Sequence, residues 1–335
     1  MRFRLTAVFY GTALIAASIA AFGSGGILAA LIVLAIWGFT LSRKSRTEAM
    51  KAFGAILLFG LCIVCCFSGL FTVPSPREAS RQAQCSNNMR EIAHALRCYE
   101  AAWGCFPPAY VADDNGRPMH SWRVLILPYL EESRRYARYD FNEPWDGPNN
   151  RQLADDMPSI YRCPAQHGKN RQTATSYVAV VGPDTMWPGT GARKPAEVPD
   201  GLVNTVLLVE VAGPGVHWMA PRDLTVEEFL KIHTSHSGSP QTDIHRARGY
   251  FCYSCSWNAA FADGHMRKVS VPFSTEILSA CLTVDGGESF DWESGAREPY
   301  VHWRWGRVVA TVVFLVLCVL PLARLPWQDK SGVVQ

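Results

Sequence analysis

The apolar positions of the chain gather into long uncharged runs at its two ends. Four such runs cover residues 5–22, 27–41, 52–73 and 308–323. A helix needs about 20 apolar residues to cross the hydrocarbon core of a bilayer, so each run predicts a transmembrane helix. A Gly-Ser-Gly-Gly turn at residues 23–26 separates the first two runs and makes them a helical hairpin. The pattern therefore predicts a multi-pass protein with four transmembrane helices.

The basic residues beside these runs predict their orientation. Arg2 and Arg4 precede the first run, and four basic residues lie between positions 43 and 51. Positive charge favours the cytoplasmic side. The predicted order is a transmembrane hairpin at residues 1–42, a basic cytoplasmic loop at 43–51, a transmembrane helix at 52–73, an exported domain at 74–300, a transmembrane helix at 301–323 and a cytoplasmic tail at 324–335. A signal peptide cleaved near Ser18-Ile19-Ala20 is the alternative for the first run.

The first part of the exported domain has the spacing of helices. Apolar residues recur every three or four positions over residues 77–103, which predicts a long helix that faces the core. These residues are Met89, Ile92, Ala93, Leu96, Tyr99 and Trp103. Gly104 is a natural residue to end this helix. We also expect a helix over residues 121–136 and a short polar helix over 149–156.

The second part of the domain has the spacing of strands. Short apolar or alternating stretches predict strands at residues 176–181, 205–211, 258–262 and 266–270, and Asp263-Gly264 predicts a tight hairpin between the last two. Thr225 and Glu228 have the spacing of a capping box at a helix start, and residues 274–282 predict a last helix. A long helix followed by antiparallel strands indicates an α+β domain.

The charge balance excludes one class of protein. Lys and Arg number 32 and Asp and Glu number 29, which gives a formal charge of +3. A nucleic-acid interface requires clustered basic residues, so no nucleic-acid partner is expected. The chain also lacks a G-x-S-x-G nucleophile motif, a Walker motif and a dinucleotide-binding glycine motif. We assign no catalytic residue.

Several short motifs follow one another along the exported domain. They are Cys85-Ser86-Asn87-Asn88, Ser121-Trp122-Arg123, Leu127-Pro128-Tyr129, Glu143-Pro144-Trp145-Asp146, Tyr161-Arg162-Cys163-Pro164, Leu208-Val209-Glu210, Pro221-Arg222-Asp223 and Ala262-Asp263-Gly264. This order resembles the bacterial DUF1559 family, pilin-like proteins with a C-terminal H-X9-DG element. The resemblance covers about residues 52–272.

The resemblance implies a pilin-like head, in which a long N-terminal helix packs on an antiparallel sheet, and it implies a disulfide between Cys85 and Cys163. It implies no established enzymatic activity. The chain departs from the family pattern, because 17 residues separate His245 from Asp263 and a prepilin-like site at Gly38-Phe39 is followed by basic residues instead of an apolar helix. Together with the added C-terminal run, these departures predict a protein held permanently in the bacterial inner membrane, with its head on the periplasmic side.

Candidate metal and thiol chemistry lies near the C-terminal end of the domain. His236, His245, Cys252 and Cys255 offer imidazole and thiolate ligands, which suit zinc. The alternatives are a disulfide or a redox-active Cys-x-x-Cys pair. Cys98 and Cys105 flank the end of the long helix and could form a local disulfide.

Two functions follow from these observations. The main hypothesis is a non-enzymatic protein that acts in envelope organisation or protein–protein contact, with other envelope proteins or itself as partners and no cofactor. The alternative is a metal-dependent or thiol-based enzyme that uses the His/Cys loop at residues 233–265.

Glu210 and Asp223 could also form a carboxylate pair, although structural roles for both are favoured. Five tryptophans could line a glycan groove or pack in the core; they are Trp122, Trp145, Trp187, Trp218 and Trp257.

Overall fold

The computed structural model of the chain describes residues 12–21, 30–31, 33–34, 76–165, 172–211, 215–234, 245–248, 252–270, 274–287 and 302–319. The chain divides into two compact units. The head comprises Pro74–Ala247 and Ser254–Tyr300, and the flanking unit comprises Met1–Val73, Arg248–Tyr253 and Val301–Gln335.

The helices and strands follow one another in mixed order. The α-helices are α1 (Pro76–Trp103), α2 (Trp122–Leu125), α3 (Ser133–Arg138), α4 (Val226–Thr234), α5 (Thr275–Ala280) and α6 (Trp305–Val319). The strands are β1 (Tyr110–Ala112), β2 (Pro118–Ser121), β3 (Tyr177–Val178), β4 (Val180–Val181), β5 (Val206–Glu210), β6 (Leu224–Thr225), β7 (His245–Arg248), β8 (Cys252–Phe261), β9 (Met266–Ser270) and β10 (His302–Trp303). Short 3-10 helices cover Leu127–Leu130, Asn150–Leu153, Ser159–Tyr161 and Pro195–Glu197.

The long helix α1 confirms the helical spacing of the sequence. Its stripe of Met89, Ile92, Ala93 and Leu96 is fully buried, and α1 packs on β5 and β9. Gly104 follows the helix at φ +77°, where its N–H donates to Glu100 O at 2.7 Å. Trp103 departs from the prediction, because 67% of its surface is exposed.

The single helix predicted over residues 121–136 was wrong. The segment breaks into α2, a 3-10 helix and α3, with Pro128 at the start of the 3-10 helix. Proline has no N–H to continue an α-helical ladder. Glu131 then adopts φ 61°, a left-handed conformation that turns the chain before α3.

The main sheet of the head is antiparallel. It runs in the order β3-β5-β8, and β7 and β9 also pair with β8. The hairpin predicted at Asp263-Gly264 joins β8 to β9, with Gly264 at φ +97°. The capping box predicted at α4 is also confirmed, since Thr225 N donates to Glu228 Oε2 at 3.0 Å and Glu228 N donates to Thr225 Oγ1 at 3.1 Å. The α+β class with an antiparallel sheet is therefore correct.

Two small pairings were not predicted from the sequence. Strands β1 and β2 form an antiparallel ribbon, and β4 pairs in parallel with β6. The pairing of β4 with β6 brings residues 180–181 beside residues 224–225. It therefore holds Asp223, the residue before β6, close to the end of β3.

The core of the head is built around tryptophans. Trp122, Trp187, Trp218 and Trp257 are all less than 2% exposed. Trp122 lies 5.2 Å from Trp187 between ring centroids, and the Trp187 indole N–H donates to Leu207 O at 2.6 Å. Packing, and not a glycan groove, is the role of these four side chains.

Part of the flanking unit is also described. Residues 12–21 are helical, and Leu14, Ala30, Phe314 and Cys318 are buried together in a small apolar cluster. Strand β10 pairs antiparallel with residues 252 and 253.

The four predicted transmembrane helices are not supported. Within the described residues, no helix combines the length and the hydropathy needed to cross a membrane. Helix α6 is described over 15 residues, and residues 320–323 of the span predicted there lie outside the described residues. The predicted span at residues 52–73 lies outside the described residues. The predictions of a fold with four spans and of a multi-pass inner-membrane location were therefore wrong.

Candidate functional site

Among the described residues of the head, buried charged groups form two separate clusters, and several of the motif residues found in the sequence belong to one of them. The first cluster consists of Arg123, Asp223 and their partners. The second consists of Glu210, His245 and their partners. Each carries charges that are shielded from water, so each must be held by specific hydrogen bonds.

Arg123 and Asp223 form the first cluster as a forked ion pair. Their side chains are 0% and 1% exposed. Arg123 Nη1 donates to Asp223 Oδ2 at 3.2 Å, and Nη2 contacts Asp223 Oδ1. Two planar groups joined by parallel contacts give a strong and directional pair.

Further donors complete the first cluster. Asp223 also accepts from Trp122 Nε1 at 3.1 Å and from Ala179 N at 2.8 Å, while Arg123 Nη2 donates to Tyr177 O at 3.1 Å. Burial raises the pKa of Asp223, and the charge of Arg123 and these donors oppose that shift. The Ser-Trp-Arg and Pro-Arg-Asp motifs thus meet in this cluster. We call the Arg123–Asp223 pair the clamp, because it joins the start of α2 to the β4–β6 pairing.

Glu210 is the centre of the second cluster. It ends β5, is 0% exposed, and faces Tyr177 in the strand pairing. Its Oε2 accepts from Asn258 Nδ2 at 2.6 Å and from Asn258 N at 3.2 Å. His245 Nε2 lies 3.2 Å from both carboxylate oxygens of Glu210. A carboxylate that ends a strand of buried residues is thereby fully partnered.

His245 links this centre to the long helix. Its Nδ1 lies 3.1 Å from Oε1 of Glu78, in the first turn of α1. Burial disfavours the charged imidazolium, but hydrogen bonds and negative charge from Glu210 and Glu78 outweigh burial and raise the pKa of His245. The imidazole is therefore held between two carboxylates, each facing a different ring nitrogen.

A disulfide lies against the same imidazole. Cys85, on α1, is bonded to Cys163, and both residues are 0% exposed. Cys163 Sγ is 4.0 Å from His245 Nε2, and Cys163 Sγ also accepts from Ala165 N at 3.4 Å. This pair is the one that the family resemblance implies. The Cys-Ser-Asn-Asn and Arg-Cys-Pro motifs meet here, where Asn88 Nδ2 also donates to Arg162 O at 3.2 Å.

The second cluster brings four side chains of metal-ligating type close together, two of them joined in the disulfide. One potential ligand atom from each of Cys85, Cys163, Glu210 and His245 lies within 4.8 Å of all the others. Among the described residues, these four side chains are the group whose potential ligand atoms lie this close together. We call it the Cys–His–Glu cluster.

The zinc ligands expected from the sequence are only partly assembled. His245 joins the Cys–His–Glu cluster, whereas Cys255 is buried outside it. His236 and the side chain of Cys252 lie outside the described residues, so the four-residue set stays a prediction. Sequence reasoning did not place Glu210 beside His245 and the two cysteines. The signal in the sequence was that Glu210 ends an apolar strand. A carboxylate at such a position is buried and needs a partner.

The other expected residues lie at structural positions. Cys98 and Cys105 are free thiols; Cys98 Sγ lies 3.7 Å from His94 Nδ1. In the Glu-Pro-Trp-Asp motif, Asn150 N donates to Glu143 Oε1 at 2.6 Å and Asn150 Nδ2 donates to Pro144 O at 3.0 Å. The other motif residues hold turns and surface contacts. Trp145 packs on His217, Asp146 is exposed, Pro221 precedes Arg222, which pairs with Glu228 at 3.4 Å, and Asp263 accepts from His265 N at 3.0 Å.

The surface of the head carries an open cleft of about 480 Å³, lined by Arg90, Glu91, His94, Tyr129, Leu130 and Glu131. Trp103 extends its apolar surface, since its Nε1 donates to Tyr129 Oη at 3.3 Å and its ring stacks on Tyr99 at 5.8 Å. We call this surface the aromatic cleft. The exposed ring of Trp103 and the charged side chains of this cleft are open to solvent, whereas the two interior clusters are buried.

Comparison with known proteins gives a family for the head. The family described as "Protein of unknown function (DUF1559)" matches residues 74–297. No curated protein and no solved structure matched the chain. The match covers both buried clusters and the aromatic cleft.

Proposed function

The chain belongs to the DUF1559 family, and from that premise we propose that it is a non-enzymatic, pilin-like interaction protein whose head associates with a second copy of itself through the aromatic cleft. A role in envelope organisation, expected from the resemblance, would use such contacts. The observation that carries the proposal is Trp103, a large aromatic residue at the end of α1 with 67% of its surface exposed.

The interior clusters support a non-enzymatic role. The side chains of Asp223 and Glu210 are 1% and 0% exposed, and their hydrogen bonds go to side chains and backbone of the head itself. A general acid or base must reach the proton that it transfers in the bound substrate. Groups that are buried and already partnered favour stability of the fold over turnover.

The charge pattern of the aromatic cleft supports self-association. Arg90 and Glu131 carry opposite charges and line the same cleft. In a two-fold contact each residue of one copy meets its complement on the other copy, so a self-complementary patch is required. Trp103 lies beside this cleft, on Tyr129, and tryptophan is among the residues that most often act as hot spots in interfaces.

The test is the oligomeric state of the purified full-length protein, measured by sedimentation velocity over a concentration series. We expect a dimer that dissociates on dilution. Trp103→Ala should weaken it by at least about 30-fold, because truncating a hot-spot residue costs about 2 kcal/mol or more. Val203→Ala, at an exposed valine in another loop, is the control and should leave the dissociation constant unchanged.

A charge swap tests the geometry of the contact. Arg90→Glu and Glu131→Arg should each weaken the dimer, and the double variant should recover it because the pair is re-formed across the two-fold axis. A protein that stays monomeric at all concentrations, or a dimer that is insensitive to Trp103→Ala and to both charge changes, would contradict the proposal.

A further inference from the structure

We propose that the reduced head binds a zinc ion through Cys85, Cys163, Glu210 and His245, so that the Cys–His–Glu cluster exchanges a disulfide for a metal. The proposed site lies in the interior of the head and is separate from the aromatic cleft. It also differs from the zinc set expected from the sequence, with which it shares only His245.

The donor atoms fit zinc in number and type. Two sulfurs, one imidazole nitrogen and one carboxylate oxygen lie within 4.8 Å of one another. A tetrahedral zinc with Zn–S bonds of about 2.3 Å holds its two sulfurs about 3.8 Å apart. Breaking the S–S bond and separating the sulfurs to that distance would turn the present contacts into a four-ligand shell.

The residues around the donors form the supporting shell that zinc sites require. His245 presents Nε2 to the cluster while its Nδ1 faces Glu78 Oε1 at 3.1 Å, which is a carboxylate–histidine–metal arrangement. Asn258 holds Glu210 Oε2 at 2.6 Å and leaves Oε1 toward the cluster. Ala165 N donates to Cys163 Sγ at 3.4 Å, a contact that stabilises a thiolate.

The exchange requires two reactants, a dithiol reductant and a zinc ion. A dithiol reductant gives two electrons and two protons to the Cys85–Cys163 bond and becomes a disulfide itself. Zinc then displaces three protons, one from each thiol and one from His245 Nε2, and these are released to solvent, so that His245 binds through Nε2 as a neutral imidazole. All four donors are buried, so zinc would enter as the reduced chain folds and not through an open channel.

The test is metal uptake by the purified full-length protein refolded with and without reductant. Cobalt(II) serves as the spectroscopic probe, because thiolate ligation gives a charge-transfer band and a tetrahedral site gives strong visible bands. We expect one equivalent of cobalt in the reduced protein, displaced by zinc, and none at this site in the disulfide form. Near-ultraviolet circular dichroism should confirm that both samples are folded.

Variants locate the site. Cys85→Ser and His245→Ala should change or abolish the cobalt spectrum, and Glu78→Gln should weaken metal affinity about 10- to 100-fold because Glu78 only positions His245. Cys98→Ser with Cys105→Ser, and Cys252→Ser with Cys255→Ser, are matched controls that remove thiols elsewhere and should leave the spectrum unchanged.

The wild-type comparison keeps the proposal testable even if a variant fails to fold. Reduced, folded wild-type protein that takes up no cobalt would overturn it. So would equal uptake by the disulfide form, or a cobalt spectrum that is lost in the Cys252/Cys255 variant and kept in Cys85→Ser.

Discussion

The two buried charged clusters of the head differ in whether their charges and bonds can change. In the first, Arg123 and Asp223 form a forked pair with every contact made to fixed donors and acceptors of the head. In the second, Glu210 is paired with His245, an imidazole that can gain or lose a proton, and the imidazole lies against a disulfide that can be reduced.

This difference indicates what each cluster does. Arginine stays protonated in proteins, so the charge of Arg123 is permanent and the first cluster serves as a fixed link between α2, β3 and β6. The second cluster is built from groups with more than one state, and it ties α1 to β5, β7 and β8. The long helix is therefore joined to the sheet by the part of the interior that can respond to conditions.

Removing Asp223 should cause the largest loss of stability. Asp223→Ala leaves the Arg123 charge buried without a counter-ion and leaves the N–H groups of Trp122 and Ala179 without their acceptor. Breaking a buried pair on one side costs about 3–5 kcal/mol. Guanidinium unfolding followed by tryptophan fluorescence would measure the change in the free energy of unfolding.

The control is Asp156→Ala, which removes a half-exposed carboxylate paired with Arg135 at 2.9 Å and should cost about 1 kcal/mol or less. The double variant Arg123→Met with Asp223→Leu should recover part of the loss, since apolar replacements of a buried pair are often tolerated. Equal effects of Asp223→Ala and Asp156→Ala would show that the clamp is not a special feature of the fold.

Opening the disulfide should have the next largest effect. The bond closes a loop with a sequence separation of 78 residues, and loss of a bond of this kind costs about 2–5 kcal/mol. Unfolding of Cys163→Ser, or of the reduced wild-type protein in the presence of a chelator, would measure it. Cys98→Ser, at a thiol outside the cluster, should be neutral.

Zinc sharpens the contrast between the two clusters. If reduced wild-type protein binds zinc, saturation at about 100 times the dissociation constant should restore about 2.7 kcal/mol. Asp223→Ala should gain the same increment from zinc, because its defect lies in the other cluster. A zinc effect that disappears in Asp223→Ala would mean that the two clusters are coupled.

The sequence predicted the frame of the head better than its interior chemistry. The spacing of Met89, Ile92 and Leu96 repeats within one helix, so α1 could be located from local information alone. The capping box at Thr225 and the hairpin at Gly264 are local signals of the same kind. The helix over residues 121–136 failed because the apolar spacing continued across Pro128, and the proline interrupts the backbone ladder.

The clusters depend on contacts between residues far apart in the chain. Glu210 and His245 are separated by 35 residues, and Arg123 and Asp223 by 100. No periodic pattern relates such positions, so their pairing required the fold. The membrane prediction failed for a different reason, since the hydropathy of an apolar run does not by itself establish that the run forms one helix long enough to cross a membrane.

Asn258 tests how far Glu210 depends on its neutral partner. Asn258→Ala removes the 2.6 Å hydrogen bond to Glu210 Oε2 and leaves a buried carboxylate short of a donor, which costs about 1–3 kcal/mol. Urea unfolding at neutral pH would measure the loss. Asn142→Ala is the matched control, since Asn142 is exposed and contacts Asp140 at 2.9 Å. If both variants lose equally, the buried carboxylate does not need its amide partner.

The smallest expected effect concerns His120, a buried histidine whose hydrogen-bond partners are neutral. Its pKa can be compared with that of His245, which is also buried but faces two carboxylates. His120 Nδ1 lies 3.0 Å from Tyr139 Oη, and Nε2 lies 3.1 Å from Phe141 O. Burial lowers the pKa of His120, while the hydrogen bond to Phe141 and the charge of Asp140 oppose the shift. The unfolded chain therefore takes up a proton near pH 6.5 that the folded head resists. Its contribution to stability is complete above about pH 6.5 and is lost as the pH falls toward the lowered value.

Urea midpoints measured between about pH 5 and 8 should show an acid-side decline in the wild-type protein that is smaller in His120→Gln. The difference between the two proteins isolates His120 from His217, whose pKa burial also lowers. Parallel pH profiles of the two proteins would show that burial at this position does not penalise the imidazolium.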